Sequence, residues 1–401
     1  MRQFDIAIVG AGLAGSLAAL ALADSGRAVA LIAPPARAAD GRTTALMDQS
    51  IAFLKALGLW DEIARHAAAL EAMQILDGTS RLLRAPPVAF RSSEVGLDAF
   101  GYNIPNAPFL EVLDARIAAQ DNIVRLENGV TAANAFETGV ELVLDDGERV
   151  MAALVVGADG KASRIRDSAG IGVRSWAYPQ SALVLNFSHE RPHGNVSTEF
   201  HTESGPFTQV PLPGRRSSLV WVLPPKEAAR LRELPAADLS RAVEERMQSM
   251  LGKVAVEGEA QSFPLSGMTA HRFGKGRFVL VGEAAHAFPP IGAQGLNLSL
   301  RDIMALKEIV LGSEMAHAGI GERFDRRRQV DIRSRTMSVD LLNRSLLSDF
   351  LPVQFLRSAG LHLLSALGPL RSIVMREGIE PLGSLKAFRE TLRERVARKQ
   401  A

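Results

Sequence analysis

The sequence predicts an α/β protein: a buried parallel sheet with crossover helices, an antiparallel sheet inserted into it, and a helical carboxyl-terminal region. Three observations carry this prediction. An apolar strand at 4–9 runs into a glycine-spaced turn and an apolar helical stretch, and a second apolar strand follows. Residues 181–222 alternate in the manner of antiparallel strands, with turn signals between the runs. After residue 320 the spacing is helical, broken at Pro352, Gly368-Pro369 and Pro381-Gly383.

Each element has its own warrant. Residues 4–9 read as a buried parallel strand and Ser16–Ser25 as a helix, with Gly26 at the left-handed cap position. Ala28–Ile32 is the second strand and closes a βαβ unit. Met47–Leu57 has helical spacing, and Gly58 is a natural stop. Residues 72–105 are strand-rich and broken by prolines, and Pro108–Gln120 is again helical. Short strands follow at Ile123–Leu126 and Val140–Leu144, with Asp146-Gly147 as a hairpin turn. Leu154–Val156 is a further buried strand. His193-Gly194 and Pro213-Gly214 punctuate the antiparallel block, Arg277–Val281 is the last buried strand, and a helix starts near Leu296. The resulting division is a discontinuous α/β domain (1–71, 106–175 and 272–325), a sheet domain (72–105 and 176–271) and a helical region (326–401).

Composition narrows the function classes. With 401 residues, 47% hydrophobic and 22% charged, the chain is a folded protein larger than one small domain. A formal net charge of +2 argues against nucleic acid as a partner, because phosphate neutralisation needs a dense basic face. The balance is uneven: from Asp340 to the end, ten Lys/Arg stand against six Asp/Glu. The absence of cysteine excludes disulfides, thiolate metal sites and a thiol nucleophile, and is compatible with a cytoplasmic location. Ile6–Ala23 imitates a membrane span or signal peptide, with Ser16 its only strongly polar residue. Glycines at 10, 12 and 15, Asp5 before the run and a strand after it favour strand, turn and helix.

Three motifs carry the chemistry. The first is Gly10-Ala11-Gly12-Leu13-Ala14-Gly15, a GxGxxG between a strand and a helix, the Rossmann-like dinucleotide context. Gly10 permits the turn, Gly12 lets backbone approach a pyrophosphate, and Gly15 lets the helix lie close to the strand, so that phosphate sits on helix N-terminal amides. The second strand ends Leu31-Ile32-Ala33-Pro34, without the acid that normally holds the adenosine ribose. The second motif is Gly157-Ala158-Asp159-Gly160-Lys161-Ala162-Ser163-Arg164-Ile165-Arg166. The third is Gly282-Glu283-Ala284-Ala285-His286, continuing through Pro289, Gly292, Gln294, Gly295 and Asn297 to Asp302.

In order and spacing the three motifs resemble the class A flavoprotein hydroxylases, which share the para-hydroxybenzoate hydroxylase fold. The resemblance covers about residues 4–350. It implies non-covalent FAD, with Gly10, Gly12 and Gly15 cradling the pyrophosphate and Arg42, in the stretch GRTTAL, offering charge-assisted bonds to a phosphate. A solvated loop arginine is the alternative. Asp159 and Gly160 match the family's DG pair beside the cofactor and the reduced pyridine nucleotide, with a plain turn as the alternative. Glu283 stands where many members carry Asp, the residue that holds a ribitol hydroxyl. Gly292, Gln294, Gly295 and Asn297 would face the flavin pyrimidine, where helix N-terminal amides stabilise negative charge. His286 is read as a packing or hydrogen-bonding residue, since the family's oxygen chemistry takes place on the flavin.

Within the family, GEAAHAFPPIGAQGLNLSLRD, PFTQVPLPGRRSSLVW (Pro206–Trp221) and LLNRSLLSDFLP (Leu341–Pro352) resemble the ubiquinone-biosynthesis hydroxylases. That branch implies a polyprenylated phenol as substrate, O2 as co-substrate and NAD(P)H as donor, with oxygen transferred from a flavin C4a-hydroperoxide. Phe207, Leu212 and Pro289 would line the substrate site, and no single catalytic side chain is assigned. Leu342, Leu346 and Phe350 form an apolar face among arginines, which suits a lipid interface at the inner membrane face, a biosynthetic complex, or a core-packed helix with a basic end. Two rival functions stand beside this one: hydroxylation of a small soluble phenol, and a non-catalytic flavin-binding component of a complex. His189-Glu190-Arg191-Pro192-His193 matches the HExxH zinc pattern, but Pro192 and Gly194 oppose the helix such a site needs, so no metal is expected.

Overall fold

The computed structural model describes residues 1–35, 41–79, 87–289, 294–313 and 319–347. Its first sheet has five parallel strands at its centre, in the order Phe278–Leu280, Arg149–Gly157, Arg2–Val9, Val29–Ile32 and Ile123–Leu126. These segments are continuous apolar runs because both faces of a parallel sheet are covered. Ile6, Ala7, Ile8 and Leu154 have no exposed surface, and Leu17–Leu22 of the helix Leu13–Ala23 are buried against them. The stretch that imitates a membrane span is therefore a buried strand, turn and helix. Among the described residues, no helix is long and apolar enough to cross a membrane.

A second sheet runs in the order His286–Ala287, Val254–Ala270, Val173–His189, Arg216–Leu223, Gly205–Leu212, Val196–Thr202, Ala72–Asp77 and Val88–Arg91. It is antiparallel except where Val196–Thr202 pairs with Ala72–Asp77 in parallel, because the latter enters from a distant part of the chain. One face packs on the helices Pro225–Arg232 and Ala236–Arg246 through Leu183, Leu185, Phe187, Phe207 and Trp221. A third sheet, Thr43–Met47, Gly101–Pro105 and Ala68–Ala69, lies against the other face: Thr43 Oγ1 and Asn103 Nδ2 meet Ser218 Oγ at 3.1 and 3.3 Å.

Several sequence expectations match within a residue or two, including the strands Ile123–Leu126 and Val140–Leu144 and the helix Asp48–Ala56. Gly26, Gly58 and Gly147 take positive φ where stops and turns were expected. The helix expected after 320 runs Ile320–Leu347, while the breaks expected at Pro352 and beyond, and the face including Phe350, lie outside the described residues. The strand Val130–Ala135, the two helices at 225–246 and the strand Val254–Ala270 had no counterpart in the reading of the sequence.

Candidate active site

The three motifs meet at the carboxyl-terminal ends of the central parallel strands, where ligands bind in open α/β sheets. The first touches the second at Gly10, whose φ is +108°; a Cβ there would lie 2.3 Å from the Ala158 carbonyl oxygen. Ala158 N donates to Val9 O at 2.8 Å. The second reaches the third through Val281 N, which donates to Gly157 O at 2.9 Å, and through the buried Arg166, whose Nη1 donates to Lys161 O and Ala284 O at 2.9 and 3.2 Å. The third returns to the first where Gly282 (φ +62°) passes so near Ala14 that a Cβ would sit 3.2 Å from its side chain.

The glycines of this mouth divide into two kinds. Gly10 and Gly15 are packing positions: a Cβ on Gly15 would fall 1.8 Å from Gly10 O, so backbone closeness excludes any side chain. Gly12, Gly160 and Gly295 would each direct a Cβ into open space. Gly12 is also the N-cap of Leu13–Ala23, with no side-chain cap and no acid in the first turn. An uncapped helix start beside an open glycine is a receptor for an anion, since the first-turn amides lack internal acceptors. A dinucleotide pyrophosphate fits these residues.

The other motif side chains have visible duties. Asp159 accepts hydrogen bonds from Ser163 Oγ at 2.5 Å and Ile165 N at 3.2 Å, and Ser163 caps the helix Arg164–Ser168. Its carboxylate thus stiffens the second motif. Asn297 is buried: its Oδ1 accepts from Met47 N (2.9 Å) and Ser50 Oγ (2.6 Å), and its Nδ2 donates to Ala45 O (2.8 Å). It clamps the helix Gln294–Leu311 to the turn after Thr43–Met47. Glu283 is exposed and has no hydrogen-bond or ion-pair partner among the described residues. Gly295 is exposed at the helix start, and Gly292 and the Gln294 side chain lie outside the described residues. Pro289 is buried just past the third motif. No carboxylate follows the second strand, where Ala33, Pro34 and Pro35 stand.

Behind the third motif lies a buried ionic chain. His286 Nε2 meets Asp302 Oδ2 at 2.6 Å, and both side chains are almost wholly inaccessible. Asp302 Oδ1 accepts from Arg328 Nε at 2.8 Å, and Arg328 Nη1 reaches Asp331 at 2.6 Å. Burial alone would lower the Arg328 pKa, but the Asp302 and Asp331 charges and hydrogen bonds more than offset this and hold it above its ordinary value. His286 also stacks on Phe288 with centroids 5.3 Å apart. It is a structural histidine, tying the motif to the helices Gln294–Leu311 and Ile320–Leu347.

Arg42 lies exposed over the Phe263 ring, 5.7 Å from its centroid, and Gly41 O accepts from Asn186 Nδ2 at 3.0 Å. These contacts identify which face of the second sheet looks toward the motifs. Register places Ala182, Val184, Asn186, Ser218, Val220, Val210, Leu212 and Phe263 together on that face. Phe207 has the opposite parity. It is buried under the helices at 225–246, edge-on to Phe200 and Trp221, so alternation removes it from the lining set. Leu212 has the expected parity and is fully buried. Val184, Val210, Val220 and Phe263 are half-buried, and this apolar group was missed; its signal was their parity with Asn186 and Ser218.

The HExxH match is a strand end and turn. His189 Nδ1 donates to Arg191 O at 2.7 Å while its Nε2 meets Ser217 Oγ at 3.0 Å; His193 Nδ1 accepts from Asn195 N and its Nε2 donates to Leu212 O. Every ring nitrogen is engaged by the protein. Burial pushes the His189 pKa down.

A parallel sheet with an uncapped glycine-rich helix start at its mouth, and a second sheet facing it, define a nucleotide-binding α/β protein with a separate antiparallel sheet. The chain belongs to the FAD binding domain family, whose model matches residues 3–322, and FAD is its cofactor. It is 33% identical to a ubiquinone hydroxylase, UbiL, of Rhodospirillum rubrum, over 95% of this chain and 90% of that one. It is 31% identical to the 3-demethoxyubiquinol 3-hydroxylase of Escherichia coli, over 92% and 96% of the two chains. The crystal structure of p-nitrophenol 4-monooxygenase PnpA from Pseudomonas putida superposes with a TM-score of 0.76 at 18% identity, covering 94% of this chain and 99% of that one, and shares the fold.

Proposed function

We propose that this protein is an FAD-dependent monooxygenase that hydroxylates the ring of a polyprenylated phenol in ubiquinone biosynthesis, with NAD(P)H as electron donor. The observation that carries this reading is the juxtaposition of a glycine-lined nucleotide mouth with an apolar, half-buried sheet face. The relatives named as ubiquinone hydroxylases support the substrate class.

FAD supplies the electron transfer and oxygen activation when bound. The chain's own residues bind, orient and exclude water. Gly10 and Gly15 hold the turn shut, Gly12 admits the pyrophosphate to the first-turn amides, and Arg42 adds a cation to a phosphate. Asp159 and Gly160 shape the second loop, and Glu283, exposed and unpartnered among the described residues, is free to accept from a ribitol hydroxyl. The helix start at Gln294 and Gly295, steadied by Asn297, would offer backbone amides to the flavin pyrimidine, with Gly292 in the loop before it. Val184, Val210 and Val220, half-buried, would give the ring a dry surface beside Pro289, whereas the fully buried Leu212 offers none. We include membrane or complex attachment through the basic carboxyl-terminal region; Val330 and Met337, 73% and 72% exposed on Ile320–Leu347, support it.

The test is direct. Purified protein should be yellow and should consume NAD(P)H and O2 on addition of a prenylated phenol, with one oxygen atom incorporated. Protein that FAD cannot reconstitute refutes the catalytic reading. Turnover restricted to unprenylated phenols refutes the substrate class. Deleting the gene and determining the mass and ring-substitution pattern of the accumulated quinone precursor identifies the ring position.

A further inference from the structure

The ends of the five parallel strands form a single row. Leu280, Gly157, Val9, Ile32 and Leu126 are register partners in turn across the sheet, so Val281, Ala158, Gly10, Ala33 and Glu127 are the residues that leave it. The ladder continues into this outgoing row: Gly10 N donates to Ile32 O at 2.8 Å, and Ala33 N to Leu126 O at 3.1 Å. With neighbouring strands about 4.8 Å apart, Glu127 stands one strand beyond Ala33 and about 10 Å from Gly10.

Ala33 occupies the place from which an acid normally holds the adenosine ribose of a dinucleotide, and its side chain has no polar atom. Three carboxylates lie within three residues of the strand ends: Glu127, Asp159 and Glu283. Asp159 is taken by Ser163 and Ile165, and Glu283 follows the strand at the opposite end of the row. Glu127 is exposed, and among the described residues it has no hydrogen-bond or ion-pair partner.

Alternation fixes the side on which Glu127 leaves the sheet. Arg125, two residues earlier, reaches Asp114 of the helix Asn106–Ala118 at 2.8 Å, and that helix packs on Leu13–Ala23. Glu127 therefore lies on the side of the uncapped helix start at Gly12. The turn that follows is anchored, since Asp145 accepts from Asn128 Nδ2 at 3.2 Å and from Gly129 N at 2.9 Å.

We propose that Glu127 replaces the missing acid: its carboxylate accepts hydrogen bonds from the ribose hydroxyls of the FAD adenosine, one strand over from the usual position. The inference rests on the functional reading above, in which the flavin lies toward Glu283 and the adenosine therefore toward Glu127. The ligand chemistry required is a nucleotide with a free ribose diol.

The test uses the FAD-loaded full chain, wild type and Glu127→Gln. The displacing probes are ADP and its dideoxy analogue, which lacks both ribose hydroxyls, and released flavin is read by fluorescence. The variant should bind FAD about tenfold more weakly, as loss of a charged acceptor requires, with the melting temperature of the FAD-free protein unchanged. Wild type should prefer ADP to the dideoxy analogue by about tenfold, and the variant should lose most of that preference. FAD affinity unchanged in the variant, or an ADP preference equal in the two proteins, overturns the assignment. A preference lost as expected, in a protein that turns over no phenol, leaves the ribose contact standing and sinks the functional reading instead.

Discussion

The mouth where the three motifs meet and the sheet face opposite it are built by different rules. The mouth is a matter of backbone: Gly10 against Ala158 and Gly15 against Gly10 at distances that no side chain could share, and Gly282, at φ +62°, in tight contact with Ala14. The facing sheet is a matter of side-chain parity, where Phe207 and Val210, three residues apart, point into the core under the helices and onto the opposite face respectively. A backbone site is written in a few consecutive letters. A parity site is written in register, which depends on strands far apart in sequence.

Substitutions sharpen this contrast, and the largest effect lies in neither region but in the ionic chain behind the mouth. Asp302→Ala leaves the buried Arg328 without its main counter-charge and should cost about 3–5 kcal/mol, read by denaturant unfolding. Phe207→Ala should cost a similar amount, about 3–5 kcal/mol, while leaving the flavin spectrum and the KM for substrate intact in the protein that remains folded. If KM rises instead, Phe207 faces the substrate and the parity assignment fails. Gly15→Ala forces a backbone shift and should destabilise by about 1–3 kcal/mol. Its counterpart Gly12→Ala should leave the melting temperature of the FAD-free protein unchanged but weaken FAD binding, because each charge-assisted bond lost is worth about 1.5–3 kcal/mol. Equal effects of these two on the apo-protein would erase the distinction between packing and receiving glycines.

The smallest effect concerns His189. Its folded pKa lies below the unfolded value, so the unfolded chain binds more protons between the two. The associated stability is present above the unfolded pKa, about 6.5, and is lost as pH falls toward the folded one. Melting temperatures measured between pH 7.5 and pH 5 should drop more steeply for the wild type than for His189→Gln.

The parallel sheet, the first helix and the glycine mouth were legible because their signals are local: a strand, a turn that needs positive φ, and a helix in immediate succession. Asp159 and Asn297 were legible as motif members but not in what they hold, since the Ser163 cap and the Met47–Ser50 clamp exist only in three dimensions. The stretch 223–276 yielded no element. Its helices do carry prolines at their starts, Pro225 and Pro235, a usable signal, but its long strand is interrupted by Gly258, Pro264 and Gly267, which hide the alternation. Leu212 and Phe207 lie in one sequence segment, and only register separates them.

In the strand Val254–Ala270, Gln261 faces Val184 while Glu257 faces Asn186, so this strand carries two extra residues there, with a consequence for solubility. An unpaired strand edge is a template on which a second molecule can add its own strand, and Val254–Phe263 lies at such an edge, where Ser240 Oγ already accepts from Val256 N at 2.9 Å. With its hydrogen-bonding groups thrown out of line by the insertion, and Pro264 unable to donate, this edge is a poor seed for intermolecular pairing. Deleting the insertion should therefore straighten the edge and make the protein prone to aggregate.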